Sequence, residues 1–422
     1  MIKNIDKSVC FLIILMPIFL VTGPFLSDLS VVIIDLAFLI IIFKEKKQFY
    51  VLNNKYFKFL IILWIYFSLR SLFADDIFLS FKSSFSYVRF IFLIWAISFF
   101  LERNKKLFDK FSKVFLLVIG FVILDAVIQY FIGTNVLGFK IQNTDKLNGL
   151  FNDEAVLGSY LVRFTPLIFA VLYCYFDTKK FSIFYLFVLS FLGFTIFISG
   201  SRSSIFLFIM FGFLFFLTNI NLRKIIIFTF LINLLGLISL SHFNDKVFYS
   251  IHYNFFDPIR TIFFEDKKAE DANKIKKIYI FTKVYDSHYN TAYNMYLDNK
   301  LFGVGTKMYR KLCQKEKYYV NEFSCTTHPH NFYFQLLAEN GLIGFFGILT
   351  IFIYTLIIIF KKIYYINFQK DNIVEYSSLM ILIGLFINFW PVVPSGNFFN
   401  NWLSIMIFFP LGFLKYFIKR KI

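Results

Sequence analysis

The residues of this chain best suited to chemistry are two histidines two positions apart, in the run Thr327-His328-Pro329-His330-Asn331. Imidazole takes and gives a proton near neutral pH without special tuning. An unperturbed imidazole is neutral in roughly three quarters of molecules at pH 7. In that form it accepts a proton from a hydroxyl, which is general-base work. The competing reading is a loop or cap histidine that makes only local hydrogen bonds. Pro329 fixes its own φ and biases His328 to extended geometry. The two imidazoles are therefore expected to point to different sides, with one facing a substrate. All five histidines (His242, His252, His288, His328 and His330) fall in one polar stretch, about 242–337.

Four arginines stand near it or within it. Arg202 lies in Ser199-Gly200-Ser201-Arg202-Ser203-Ser204, a predicted turn between two apolar runs. Guanidinium is always charged, and its fork matches phosphate oxygens. Small flanking residues let a large anionic head group approach; the alternative is a snorkelling interfacial arginine. Arg163 falls just inside an apolar run. An intramembrane charge is costly and marks a functional candidate, against an ion pair with Asp153 or Glu154. Arg260 and Arg310 are the only arginines in the polar stretch, and either a phosphate contact or a structural role fits each. Cys313 and Cys325, twelve positions apart, read as a disulfide, as free thiols, or as zinc ligands with His328 and His330. The irregular spacing ranks zinc last, and an oxidising compartment favours the disulfide.

The elements that must position these groups are membrane helices. The chain has 422 residues, 58% of them hydrophobic, with a mean hydropathy of +0.68. That composition excludes a soluble globular domain. Apolar runs near 8–24, 28–43, 57–73, 86–101, 113–132, 158–176, 181–198, 203–218, 225–241, 340–360, 374–391 and 400–416 predict about twelve spans. The second and fourth runs are short and leave room for partial re-entry. The first run resembles a signal peptide but lacks a small-x-small cleavage site and reads as an uncleaved helix. The net charge of +18 does not point to nucleic acid. No basic, aromatic-interleaved domain exists to hold a polynucleotide, and most Lys and Arg sit in short loops. Loops on the side of the N-terminus carry 23 of them, which predicts cytoplasmic termini and an outward-facing stretch 242–337 between spans nine and ten. Within that stretch, residues 291–298 predict a short helix before the glycine turn Lys300-Leu301-Phe302-Gly303-Val304-Gly305. Residues 331–340 predict an amphipathic helix leading into the tenth span. Cys10 and Cys174 read as small core residues.

Three segments together resemble the O-antigen ligase and O-antigen polymerase superfamily: Gly200-Ser201-Arg202-Ser203-Ser204; Ala292 through Gly305; and His330-Asn331 with Glu339-Asn340-Gly341-Leu342-Ile343-Gly344. The resemblance covers about 190–360 and suggests N-terminal helices over 1–180, a ligase-related core over 181–360 and C-terminal helices over 361–422. It implies a fold like that of GT-C glycosyltransferases and a metal-independent, cofactor-free enzyme of the bacterial inner membrane. It further implies transfer of a glycan from a polyprenyl diphosphate carrier to an acceptor hydroxyl at the periplasmic face. The acceptor is lipid A core in a ligase and another repeat unit in a polymerase. His330 is the implied catalytic base, supported by Asn331, Glu339 and His328. Arg202 is the implied diphosphate ligand, with a second arginine in the loop, Arg260 before Arg310, and Arg163 a further candidate. A transporter of lipid-linked sugar is the competing class. Its mid-membrane charges and paired broken helices are not evident here.

Overall fold

The computed structural model describes residues 2–45, 52–141, 146–178, 180–218, 220–243, 283–368 and 373–419. The protein is all-α. The bundle helices are α1 (Ile2–Thr22), α2 (Pro24–Lys44), α3 (Lys55–Ser71), α4 (Ile77–Phe85), α5 (Val88–Arg103), α6 (Leu107–Ile132), α7 (Leu157–Tyr175), α8 (Ser182–Ile198), α9 (Arg202–Thr218) and α10 (Arg223–Phe243). Beyond the undescribed stretch come α11 (Lys283–Asp298), α12 (Tyr309–Leu312), α13 (Phe332–Phe368), α14 (Ile373–Asn388) and α15 (Asn401–Lys419). Among the described residues the only β-contact is an isolated bridge between Thr134 and Lys140.

Every apolar run of the sequence coincides with a helix. In a membrane each backbone N–H and C=O must be satisfied within its own segment, and a helix does that. Seven helices among the described residues are long and apolar enough to cross a bilayer, with α4 and α5 counted as one rod of 27 residues. Helices α8 and α14 are apolar but shorter. Three expectations about individual runs change. The second run is not short: α2 has 21 residues. The fourth gains α4 at its head. The polar stretch begins after Phe243 and ends before Phe332, so His242 belongs to α10 and not to a loop.

The centre of the bundle is built from α5, α7, α14 and α15, which pack against one another. Aromatic rings of α6 join it. Phe111 meets Phe115 at 5.4 Å and Phe413 at 4.7 Å, and Phe115 meets Phe164 at 5.6 Å. Lipid tails are as apolar as these rings, so close van der Waals fit rather than water exclusion favours this packing. The N-terminal helix α1 packs on α2 and α6, with Val9, Ile13, Met16 and Leu20 buried.

Candidate active site

A polar layer caps one end of the bundle. Helix α11 lays one face on α13: Tyr289 stacks on Phe334 at 4.6 Å, and Ala292 and Met295 are fully buried. The loop after α11 docks on α13 backbone to backbone. Val304 N donates to Ala338 O and Gly305 N to Glu339 O, both at 2.8 Å. Residue Gly341 has φ 62° and interrupts α13. A Cβ there would lie 2.3 Å from Leu301 O, and one on Gly303 (φ 71°) would lie 2.4 Å from Asn340 N. The two chain segments touch main chain to main chain, which only glycine allows. Arg70 of α3 closes the joint by donating to the Gly303 carbonyl. Farther out, Cys313 and Cys325 form a disulfide, with Cα atoms 5.2 Å apart. Tyr309 OH donates to Ser324 O at 2.7 Å.

Glu339 is fully buried under this layer. Its Oε2 accepts from Gln335 Nε2 at 3.0 Å and its Oε1 from Tyr309 N at 3.3 Å. It ties the loop to α13 and does not face the open side. Asn331 starts α13: its Oδ1 accepts from Tyr333 N at 2.9 Å, as an N-cap does. Its Nδ2 donates to Pro391 O at 2.7 Å.

His330 has φ 55°, in the left-handed region. This turn corrects the expectation that the imidazoles point apart. The rings of His328 and His330 lie side by side, with centroids 4.2 Å apart. His288, from α11, brings a third ring 5.4 Å from His330, and Tyr285 a fourth at 5.7 Å. His328 is buried, with Nδ1 held 2.9 Å from Thr327 Oγ1. His330 is half-buried and so the better placed of the two to meet a substrate. Burial, and then the neighbouring His330, pushes His328 down to about 3. Burial, then His288, lowers His330 as well, and burial lowers His288. All three imidazoles are held neutral at pH 7. Among the described residues, no group of three or more His, Cys, Asp or Glu is arranged to hold a metal ion.

Arg202 is the first residue of α9 rather than the middle of a turn, and it is exposed. It acts electrostatically on Tyr285, whose phenol is raised by burial and lowered by that guanidinium. The cation is thereby linked to the histidine cluster through Tyr285. Arg310 acts on His328 and on Glu339. Arg163 does not join them. It is 6% exposed inside α7, donates to Ser159 Oγ at 3.1 Å and binds Asn388 Oδ1 of α14. These neutral partners stand where the alternative reading had an ion pair with Asp153 or Glu154. Arg260 lies outside the described residues.

Sequence reading missed Tyr285 and Lys307 and gave His288 no role. Tyr285, His288 and Tyr289 have the i, i+3, i+4 spacing of one helix face, the signal that could have found them. Lys307 carries no such pattern; its left-handed φ of 59° appears only in the fold.

Residues 186–349 match the family model Wzy_C, described as O-antigen ligase. The match takes in Arg202, Tyr285, His288, Arg310, His328 and His330, and it supports the O-antigen ligase superfamily for this segment. No curated protein matches the chain.

Proposed function

We propose that the protein transfers a glycan from an undecaprenyl-type polyprenyl diphosphate carrier to an acceptor hydroxyl, and that the reaction is O-antigen ligation to lipid A core. The observation that carries this reading is the gathering of a neutral, half-buried His330 and the Arg202–Tyr285 pair in one polar layer, inside the segment matched by the ligase family. In this reading the chain makes about twelve passes through the bacterial inner membrane, with both termini cytoplasmic and the polar layer periplasmic.

The acceptor oxygen attacks the anomeric carbon as its proton passes to His330. The bond from that carbon to the carrier's diphosphate breaks, with inversion, and the electron pair leaves with the diphosphate. Arg202 stabilises the charge that collects there, the electrostatic role such sites require. His328 fixes one wall of the base, and Asn331 fixes its backbone at the start of α13. Product analysis showing retained anomeric configuration would exclude direct displacement.

The test is glycan transfer in a host that lacks its own ligase but keeps its polymerase, read as lipopolysaccharide ladders on a gel. Wild type restores ladders; His330→Ala lowers transfer by roughly 10²–10⁴-fold, the usual worth of a general base, and Arg202→Ala abolishes ladders at matched expression. Wild type that restores nothing there, yet lengthens single-repeat products in a polymerase-deficient host, makes the protein a repeat-unit polymerase. Full activity in His330→Ala removes the base assignment under either name.

A further inference from the structure

The cations of the polar layer fall into two groups. Lys311, Lys315 and Lys317 each face a carboxylate: Asp76 at 3.5 Å, Asp75 at 2.6 Å, and Asp298. Among the described residues, Lys307 and Arg310 have no salt bridge, and Arg310 Nε is buried without a hydrogen-bond partner. Glu339 is the carboxylate their charges reach. Its oxygens are already taken by Gln335 and by the backbone N–H groups of Lys307 and Tyr309.

The backbone fixes where these two cations stand. Gly305 presses on the turn after α3, where its Cβ would lie 2.6 Å from that of Ala74. Lys307 follows two residues later in its left-handed turn. From the bundle side, α4 and α5 bring Lys82 and Arg89 within electrostatic reach of Lys307. Arg89 is already engaged: its Nε and Nη2 donate to Asp28, and its Nη1 donates to Ser86 O at 2.7 Å. Lys82 is exposed and stands 5.8 Å over the ring of Phe78. The adjoining surface is aromatic: Phe73 is 79% exposed and Phe78 77%. Phe73 stands in the turn before α4 and Phe78 in its first turn, and exposed rings beside a basic residue at the end of a membrane rod are the pattern of the membrane interface.

Like charges gathered at partial burial repel one another, and burial with Arg310 beside it pushes the Lys307 ammonium down. An anion relieves both costs. The planar arginine fork and the compact ammonium both suit phosphate oxygens. We propose that Lys307, Arg310 and Lys82 hold the phosphate of a lipid head group whose chain lies against Phe73 and Phe78. The site adds to the proposed transfer a second point that holds a lipid-borne reactant. It rests on that reading only for this meaning, because lipid binding can be tested without transfer.

The test uses the full-length protein in nanodiscs of equimolar phosphatidylcholine and phosphatidylglycerol, with retained lipid read by native mass spectrometry. Wild type retains phosphatidylglycerol in preference. Lys307→Gln/Arg310→Gln loses that preference by roughly thirtyfold, two interfacial charges' worth, and Lys82→Gln by about fivefold. Lys315→Gln/Lys317→Gln, which removes carboxylate-paired cations, keeps it. Lys82→Gln is exposed and leaves the fold intact, so the inference stays testable if the double variant fails to fold. An absent preference in wild type overturns the site. So does equal loss in the Lys315/Lys317 control. Full displacement by millimolar inorganic phosphate replaces the lipid with a soluble anion and overturns the head-group assignment. Transfer lost in His330→Ala with lipid retention unchanged is expected; transfer unaffected there removes the proposed reaction and leaves the lipid site standing.

Discussion

In the bundle, Phe111, Phe115, Phe164 and Phe413 meet through ring contacts alone. In the polar layer, Tyr309, Ser324, Glu339 and Gln335 meet through hydrogen bonds, Gly303 and Gly341 through bare backbone, and Cys313 and Cys325 through a covalent bond. The first kind of contact is many-partnered and forgiving, because a ring can shift and still touch something. The second is specific, because each atom meets one or two fixed partners at set distances and angles. Tolerance to substitution should therefore differ sharply between the two regions.

The largest contrast is between glycines. Gly341→Ala must push apart two main chains and adopt a left-handed φ, and is expected to cost about 3 kcal/mol or more. Gly236→Ala in α10 meets nothing within 4 Å and should leave stability unchanged or slightly raised. Thermal melts of the detergent-solubilised proteins compare the two, and equal melting points would erase the distinction. Next comes the disulfide. Its twelve-residue separation is worth about 3 kcal/mol, confined to the polar layer. Reduction should expose residues 299–331 to protease while the bundle stays resistant. A layer just as resistant after reduction would show that hydrogen bonds alone hold it.

Acid comes third. The base must be neutral, and His330 titrates below the ordinary imidazole value. Transfer should be flat around pH 7 and fall about tenfold per unit only below the lowered value. The unfolded chain binds a proton at His328 that the folded layer resists down to about 3. The layer's stability is thus full above the ordinary imidazole value and declines as pH falls from there. A rate that drops between pH 8 and 7 would contradict the neutral cluster. Smallest is Ile383→Val in the fully buried bundle core, at about 1 kcal/mol. A calorimetric loss several times larger would mean that the bundle is as exacting as the layer.

The same contrast decides what the sequence made legible. Helices announce themselves by long apolar runs, and every run coincides with one, as lipid would require; seven of the described helices are long and apolar enough to cross a bilayer, against about twelve predicted. Arg202, His330 and Asn331 were singled out by residue type. Their geometry was not. Nothing in Thr327-His328-Pro329-His330 states that His330 takes φ 55° and turns its ring onto His328. Asn388, the partner of Arg163, lies 225 positions away, beyond any local pattern. Lys307 was one lysine among many until its neighbours left it without a carboxylate. Tyr285 was readable in principle, yet a helix face of tyrosines and a histidine stands out only once one knows what it faces.

One contact bears on how this molecule can be divided. Ser395 N donates to His330 O at 2.8 Å, and Ser395 Oγ accepts from Phe332 N at 2.9 Å. Ser395 belongs to the link between α14 and α15, well past residue 349, where the family match stops. The stretch that the family model matches and the stretch that is bonded to His330 therefore have different ends. A transplant of the matched segment into a foreign scaffold would carry the imidazole and leave behind the strut that sets its angle. A chimera that exchanges α14 and α15 must exchange the strut in register. In this protein the edge of the family match is not the edge of the bonded layer.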